Sequence, residues 1–288
     1  MNLLIAKPVV EAIQDKVHTR VAAFTKKYGL APKLSVILVG EDPASQIYTR
    51  KKGETATKLG MAHETLVLPA SSTPEDVRKV VEGLNRDPQV AGILIQRPLP
   101  KTFKEEEVVY WIAPAKDVDA FHPENTGRMI LGLSALPPCT PAGIMELLTY
   151  YKIPVAGKTA CVLGRSAIVG KPVASMLLQA DATILHCHSK TPDLRGICRQ
   201  ADILVVAIGK PEFVDASFVR DGAVVIDVGV SRKADGKVVG DVLFPEVSKK
   251  VSAITPVPGG VGPMTIAVLM QNTISAAENQ RLSLAAAQ

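Results

Sequence analysis

The chain has 288 residues, of which 47% are hydrophobic, 21% charged and only 4% aromatic, and its net charge is +5. Such a chain buries one large core or two smaller ones, and it is neither a disordered polymer nor a collagen-like repeat. The basic surplus lacks the aromatic-interleaved stripe of a nucleic-acid binder; it suits anionic small molecules or a solvated basic surface.

The opening segment MNLLIAKPVVEAIQDKV has no long apolar core and carries Glu11 and Asp15, so it does not read as a secretory or transit signal. Val10, Ile13, Val17, Val21 and Phe24 mark one face of a first helix, and Gly29 suits its stop. KLSVILVG (33–40) is a buried strand. Asp42 and Pro43 then read as N-cap and first residue of a helix running to about Gly60. ETLVL (64–68) is a second strand, and Thr73-Pro74-Glu75 opens a helix with Val77, Val80, Val81 and Leu84 inward. VAGILI (90–95) is a third strand. Three strands alternating with helices imply a parallel sheet covered on both faces.

A Pro-rich hinge lies near Leu136–Pro138, after which Thr140-Pro141 caps a helix bearing Ile144, Leu147, Leu148 and Tyr151. Strand TACVLG (159–164), helix VGKPVASMLLQA (169–180), strand ATILHCH (182–188), a short helix near 193–200, and strands DILVVAIG (202–209) and AVVIDVG (223–229) follow. Four strands with helical crossovers form a nucleotide-binding type of unit. The fold class is therefore α/β in two domains, 1–138 and a doubly wound 139–263. A last helix, apolar from about Met264 to Ala277, opens the segment 264–288, which is expected to return to the first domain.

Cys139, Cys161, Cys187 and Cys198 form no CxxC pair and suit neither a disulfide framework nor a zinc site, which points to a reducing compartment. No apolar run approaches the ~20 residues of a membrane span. A cytoplasmic protein without a metal is expected.

Between strand and helix, VLGRSAIVGKP carries Gly164 and Gly170, so it is not GxGxxG. Its mechanics match one: a glycine ends the strand, small residues let amides approach a pyrophosphate, and a helix N-terminus favours negative charge. An ordinary strand–helix turn is the bland alternative. The next strand ends HCHSKT, with no carboxylate until Asp193 to hold ribose hydroxyls, whereas Arg165, Ser189 and Lys190 suit a 2′-phosphate. NADP is thus the expected cofactor. His186 and His188 read as strand and loop residues.

On the helix after Asp42, Tyr48 and Lys52 are four apart and share a face. Two readings fit: a phenol beside an ammonium whose pKa is depressed by burial and by neighbouring Arg50 and Lys51, or a solvated basic helix. Gln96 ends the third strand at the carboxyl edge of a parallel sheet, where ligands bind. Asp117 and Asp119 in KDVDAFHPENTGR either cap a turn or accept hydrogen bonds from a ligand ring. In TPVPGGVGPMT (255–265), glycines admit close backbone approach and prolines fix the path.

In order and spacing, EDPASQIYTRKK, GILIQRPLP, KDVDAFHPENTGR, PCTPAGIMELL, GRSAIVGKPVASMLL, CHSKT, ADILVVAIGKP, VVIDVGV, KVVGDV and TPVPGGVGPMT resemble the bifunctional methylenetetrahydrofolate dehydrogenase/cyclohydrolase family. The resemblance runs through nearly the whole chain. It implies a Rossmann-like C-terminal domain, an N-terminal folate domain and a cleft between them. It also implies NADP-dependent oxidation of methylenetetrahydrofolate to the methenyl compound, then hydrolysis to formyltetrahydrofolate. By that resemblance Lys52 is the key group of the hydrolytic step, Tyr48 orients the folate, Gln96 holds Lys52, and Asp119 binds the pterin edge. Pro258, Gly259 and Gly260 wall the folate pocket. Gly164, Arg165, Ser166, Ile168 and Ser189 hold the cofactor, with Val230 beside it. A homodimer is the family expectation, and the synthetase activity of larger relatives is expected to be absent.

The chain departs from the family pattern at Gly53, Glu54, Arg97 and Ala120. Arg97 either meets the glutamate tail of folate or points to solvent. The competing functions are a dehydrogenase without the hydrolytic step, another two-domain NADP-dependent dehydrogenase, and a folate-binding protein with little turnover.

Overall fold

The computed structural model describes residues 1–286. Its strands are β1 (Asn2–Leu3), β2 (Lys33–Val39), β3 (Ala62–Leu68), β4 (Val90–Ile95), β5 (Thr159–Leu163), β6 (Thr183–Cys187), β7 (Ile203–Val206), β8 (Val224–Asp227), β9 (Ser231–Arg232), β10 (Val238–Val239) and β11 (Ala253–Ile254). Its helices are α1 (Ala6–Tyr28), α2 (Pro43–Lys58), α3 (Pro74–Arg86), α4 (Glu105–Val108), α5 (Pro123–Ile130), α6 (Cys139–Tyr150), α7 (Gly170–Gln179), α8 (Leu194–Cys198), α9 (Phe244–Val247) and α10 (Val261–Ala286). The chain divides into two compact units: Ala12–Cys139 with Val268–Gln288, and Met1–Glu11 with Thr140–Ala267. None of the described helices is long and apolar enough to cross a membrane.

In the first of these units, β3, β2 and β4 form a parallel sheet in that order. Every residue of β4 is buried, and so is all of β2 beyond Lys33, as covering both faces of a parallel sheet requires. β3, at the edge, is only partly buried. Val77, Val81 and Leu84 of α3 pack with Ile37, Val39, Ile93 and Ile95. The Thr73–Asp76 capping box and Pro74 fix where α3 begins. The C-terminal part of α10 belongs to this unit, where Arg20 of α1 bonds Ser275 and Glu278. The last two positions of the expected segment 264–288 lie outside the described residues.

The second unit contains six parallel strands in the order β1-β11-β8-β7-β5-β6. From β5 the chain goes to β6 on one side and then to β7 on the other, the strand reversal of a Rossmann-like sheet. Sequence reading identifies four of these strands. The other two, β1 and β11, are two residues each, too short for any periodicity, and β1 brings Met1–Glu11 into this unit rather than into 1–138. Cys161, Cys187 and Cys198 meet in its core, with sulfur separations of 3.8 Å from Cys161 to each of the others. All three are buried among apolar side chains. They serve as small hydrophobes.

Candidate active site

Helix α2 starts where Asp42 Oδ2 accepts the Ser45 amide at 2.7 Å, and Pro43 supplies the first turn. That start fixes which residues face the sheet, and Lys52 is among them, only 8% exposed. Gln96 follows β4 directly; its amide donates to Ile37 O at 2.8 Å, so the residue extends the ladder at the carboxyl edge. Lys52 Nζ donates to Gln96 Oε1 at 2.8 Å, and Gln96 Nε2 donates to Arg97 O at 2.6 Å. The second bond sets the amide orientation, with its oxygen toward the amine.

Burial lowers the Lys52 pKa below the ordinary lysine value, opposed by the Asp119 charge and by Cys139. The basic neighbours invoked from sequence play no part: Arg50 and Lys51 are exposed, and Arg50 lies 3.7 Å from Glu54. The solvated-helix reading of Lys52 is likewise excluded by its burial. Tyr48, one turn earlier, is 43% exposed, and among the described residues no hydrogen bond joins its hydroxyl to Lys52.

Of the two alternatives for the aspartates of KDVDAF, turn capping falls to Asp117. Asp117 caps a turn: its Oδ2 accepts His122 N at 2.7 Å and Asn125 Nδ2 at 3.2 Å. Burial nevertheless pushes its pKa up to about 6. Asp119 is half-buried and faces Lys52 and the Cys139 thiol, which burial and the Asp119 carboxylate hold in its neutral form. Ala120 follows in a left-handed conformation, φ +60°. Cys139 and Asn272 complete this group; neither stands out in the sequence, because each reaches it from far along the chain.

Two departures from the family pattern have structural explanations. A Cβ at position 53 would lie 2.6 Å from His63 Cε1, so Gly53 makes room for the imidazole of β3 against α2. Arg97 does not simply point to solvent. It pairs with Glu105 and lies over the Phe121 ring, 5.2 Å from the centroid.

In the second unit, Gly164 ends β5 at φ +126°, and a Cβ there would overlap the Ala207 carbonyl at the end of β7. Only glycine permits that approach, which falls where the strand order reverses. Ser166 Oγ accepts the amides of Val169 and Gly170, each at 3.2 Å, at the start of α7. Arg165 and Ile168 are exposed on the same loop, and Ser189 and Lys190 are exposed after β6. Among the described residues, Arg165 and Lys190 make no ion pair. Asp193, the first carboxylate after β6, caps α8 through Gly196 N at 3.1 Å. Val230, 55% exposed, follows β8. Beside these lies the turn with Pro258, Gly259 and Gly260, anchored by Ala6 N donating to Gly259 O at 2.8 Å. Asp227, at the end of β8, accepts the amides of Gly229, Asp241 and Val242, while burial pushes its pKa up to about 6.

Residues 4–119 match the catalytic domain of tetrahydrofolate dehydrogenase/cyclohydrolase, and residues 138–281 match the NAD(P)-binding domain of the same family. The bifunctional protein FolD of Ligilactobacillus salivarius is 51% identical over 269 residues, 92% of this chain and 94% of that one. The crystal structure of the bifunctional enzyme FolD from Campylobacter jejuni is 45% identical with a TM-score of 0.94, covering 97% of this chain and 99% of the other. That of the Trypanosoma brucei enzyme, complexed with NADP cofactor and inhibitor, is 37% identical with a TM-score of 0.91, covering 96% and 97%. The chain belongs to the tetrahydrofolate dehydrogenase/cyclohydrolase family.

Proposed function

We infer that this chain oxidises methylenetetrahydrofolate to methenyltetrahydrofolate with NADP and then hydrolyses the methenyl compound to formyltetrahydrofolate. The observation that carries the hydrolytic half is the buried amine of Lys52, tied to Gln96 and facing Asp119.

The methenyl carbon is already an electrophile, so its hydrolysis needs a proton carrier and no covalent nucleophile. Desolvation keeps Lys52 neutral at lower pH than an exposed lysine. A neutral amine accepts the proton of the attacking water, and it also avoids placing an ammonium beside a cationic substrate. Once protonated, Lys52 gives that proton to the departing ring nitrogen, and the remaining hydroxyl proton leaves to solvent as the carbinol oxygen becomes the formyl carbonyl. Gln96 Oε1 holds the amine through one N–H and leaves its lone pair directed elsewhere. Asp119 is the partner for the hydrogen-bond donors of the pterin edge, and Tyr48, exposed on α2 one turn before Lys52, covers the ring. The family resemblance alone assigns Pro258, Gly259 and Gly260 to the folate.

The cofactor loop fits a dinucleotide phosphate. Gly164 lets the backbone turn closely at the strand reversal, and Ser166 orders the loop at the start of α7 by accepting the amides of Val169 and Gly170. Gly164, Arg165, Ser166, Ile168, Ser189 and Val230 are the residues that would hold it. Arg165 and Ser189 favour the 2′-phosphate form, because Asp193 is occupied as a helix cap. When bound, NADP supplies the hydride acceptor. The family resemblance alone supports a homodimer, which mass measurement in solution tests.

A spectrophotometric assay with both coenzymes tests the whole reading. NADPH formation reports oxidation, and decay of methenyl absorbance reports hydrolysis. Oxidation without accelerated decay would leave a dehydrogenase only.

A further inference from the structure

We propose that Asn272 is a positioning residue that fixes the Asp119 loop for substrate binding, an inference that rests on the assignment of Asp119 above. Asn272 lies on α10 and is 1% exposed. Its Nδ2 donates twice, to Val118 O at 2.9 Å and to Pro137 O at 2.8 Å. One amide nitrogen thereby ties together the residue preceding Asp119 and a residue two before Cys139. The same nitrogen lies 3.7 Å from Cys139 Sγ, and that thiol donates to Val118 O at 3.3 Å. The three groups form a closed set around one carbonyl.

The backbone beside Asp119 needs such a clamp. Ala120 has φ +60°, a conformation costing a non-glycine residue about 1 kcal/mol or more. Strain of this kind persists only where the surroundings over-determine it. On the far side of Ala120, the His122 amide is anchored on the Asp117 carboxylate, which Asn125 also holds. On the near side, Asn272 holds Val118. Asp119 sits between two anchored points, so its carboxylate direction is set by both. Leucine cannot donate, and aspartate would set a carboxylate against two carbonyl oxygens.

The same helix supplies an internal control. Gln280, eight residues on, donates through Nε2 to Ala91 O at 2.8 Å and Ala115 O at 3.1 Å. It makes the same kind of double tether, but not to the residue next to Asp119.

The test compares Asn272→Ser, Asn272→Gln, Gln280→Leu and Asp119→Ala by KM for methylenetetrahydrofolate, by the pH profile of methenyl hydrolysis and by melting temperature. Both substitutions keep a polar donor at the buried position, but neither places one nitrogen between Val118 O and Pro137 O, and the melting temperature reports retention of the fold. Their expected effect is a rise in KM of tenfold or more. The acid limb of hydrolysis moves to lower pH, because Lys52 faces the charge of Asp119, which raises its pKa, and loses that alignment. Gln280→Leu lowers the melting temperature and leaves KM and the profile unchanged. If the Asn272 variants lower only the melting temperature, Asn272 is merely structural and the proposal fails. If Asp119→Ala leaves KM unchanged, the assignment of Asp119 itself is lost. If it raises KM while the Asn272 variants do not, only the present inference is lost.

Discussion

Lys52 Nζ and Gln96 Oε1 are 2.8 Å apart, a hydrogen bond between the middle of α2 and the carboxyl end of β4. It converts a flexible side chain into a fixed amine. Replacing Gln96 by Leu leaves the amine in place but unheld. A hydrogen bond to an ionisable group contributes about 1.5–3 kcal/mol, so hydrolysis is expected to fall by roughly ten- to hundredfold. Oxidation, which needs no proton carrier at that nitrogen, falls less. Stopped-flow decay of methenyltetrahydrofolate measures the first, and equal losses in both steps would assign Gln96 to substrate binding instead.

Arg165→Ala is expected to weaken NADP more than NAD, because only NADP carries the additional phosphate. Kd values for both coenzymes by fluorescence titration decide this. Equal losses would remove the contact between Arg165 and the 2′-phosphate.

Gly53→Ala forces a methyl group to within 2.6 Å of the present His63 ring position. Overpacking of this kind costs about 1–3 kcal/mol. The melting temperature of Gly53→Ala should fall, and adding His63→Ala should restore most of the loss. A double variant no more stable than Gly53→Ala alone would place the strain elsewhere.

Asp117 and Asp227 carry pKa values raised by burial to about 6, against 3.8 for an exposed aspartate. In that window the folded chain keeps protons that the unfolded chain has released. Their contribution to stability is therefore fully present below about 3.8 and is lost as pH rises toward 6. Carboxyl ¹³C shifts should show two aspartates titrating near pH 6, while Asp42 and Asp76, held below the ordinary value by hydrogen bonds from Ser45 and Thr73, titrate lower. Midpoints near 4 for Asp117 and Asp227 would contradict the burial.

Much of this was legible in the sequence because it depends on local rules. The Asp42 and Thr73 caps, the seven main strands and the glycine at the end of β5 follow from turn chemistry and apolar patterning. Thr140 is not the cap that its pairing with Pro141 suggests: α6 begins at Cys139, and the Thr140 hydroxyl instead meets that of Thr265 at 2.9 Å. What stayed hidden depends on contacts across long stretches of chain. The burial of Lys52 requires β4 as well as α2. Asn272 reaches Val118 across 154 positions, and nothing near either residue announces the other. Cys161, Cys187 and Cys198 come together only when β5, β6 and α8 are packed.

The central claim is that the buried Lys52 amine carries the proton in hydrolysis. Its most direct measurement is single-turnover oxidation of methylenetetrahydrofolate by Lys52→Met, followed at the methenyl absorbance. The expected result is normal folding, continued NADPH formation and methenyl product that accumulates without enzymatic decay. Decay at the wild-type rate would contradict the account.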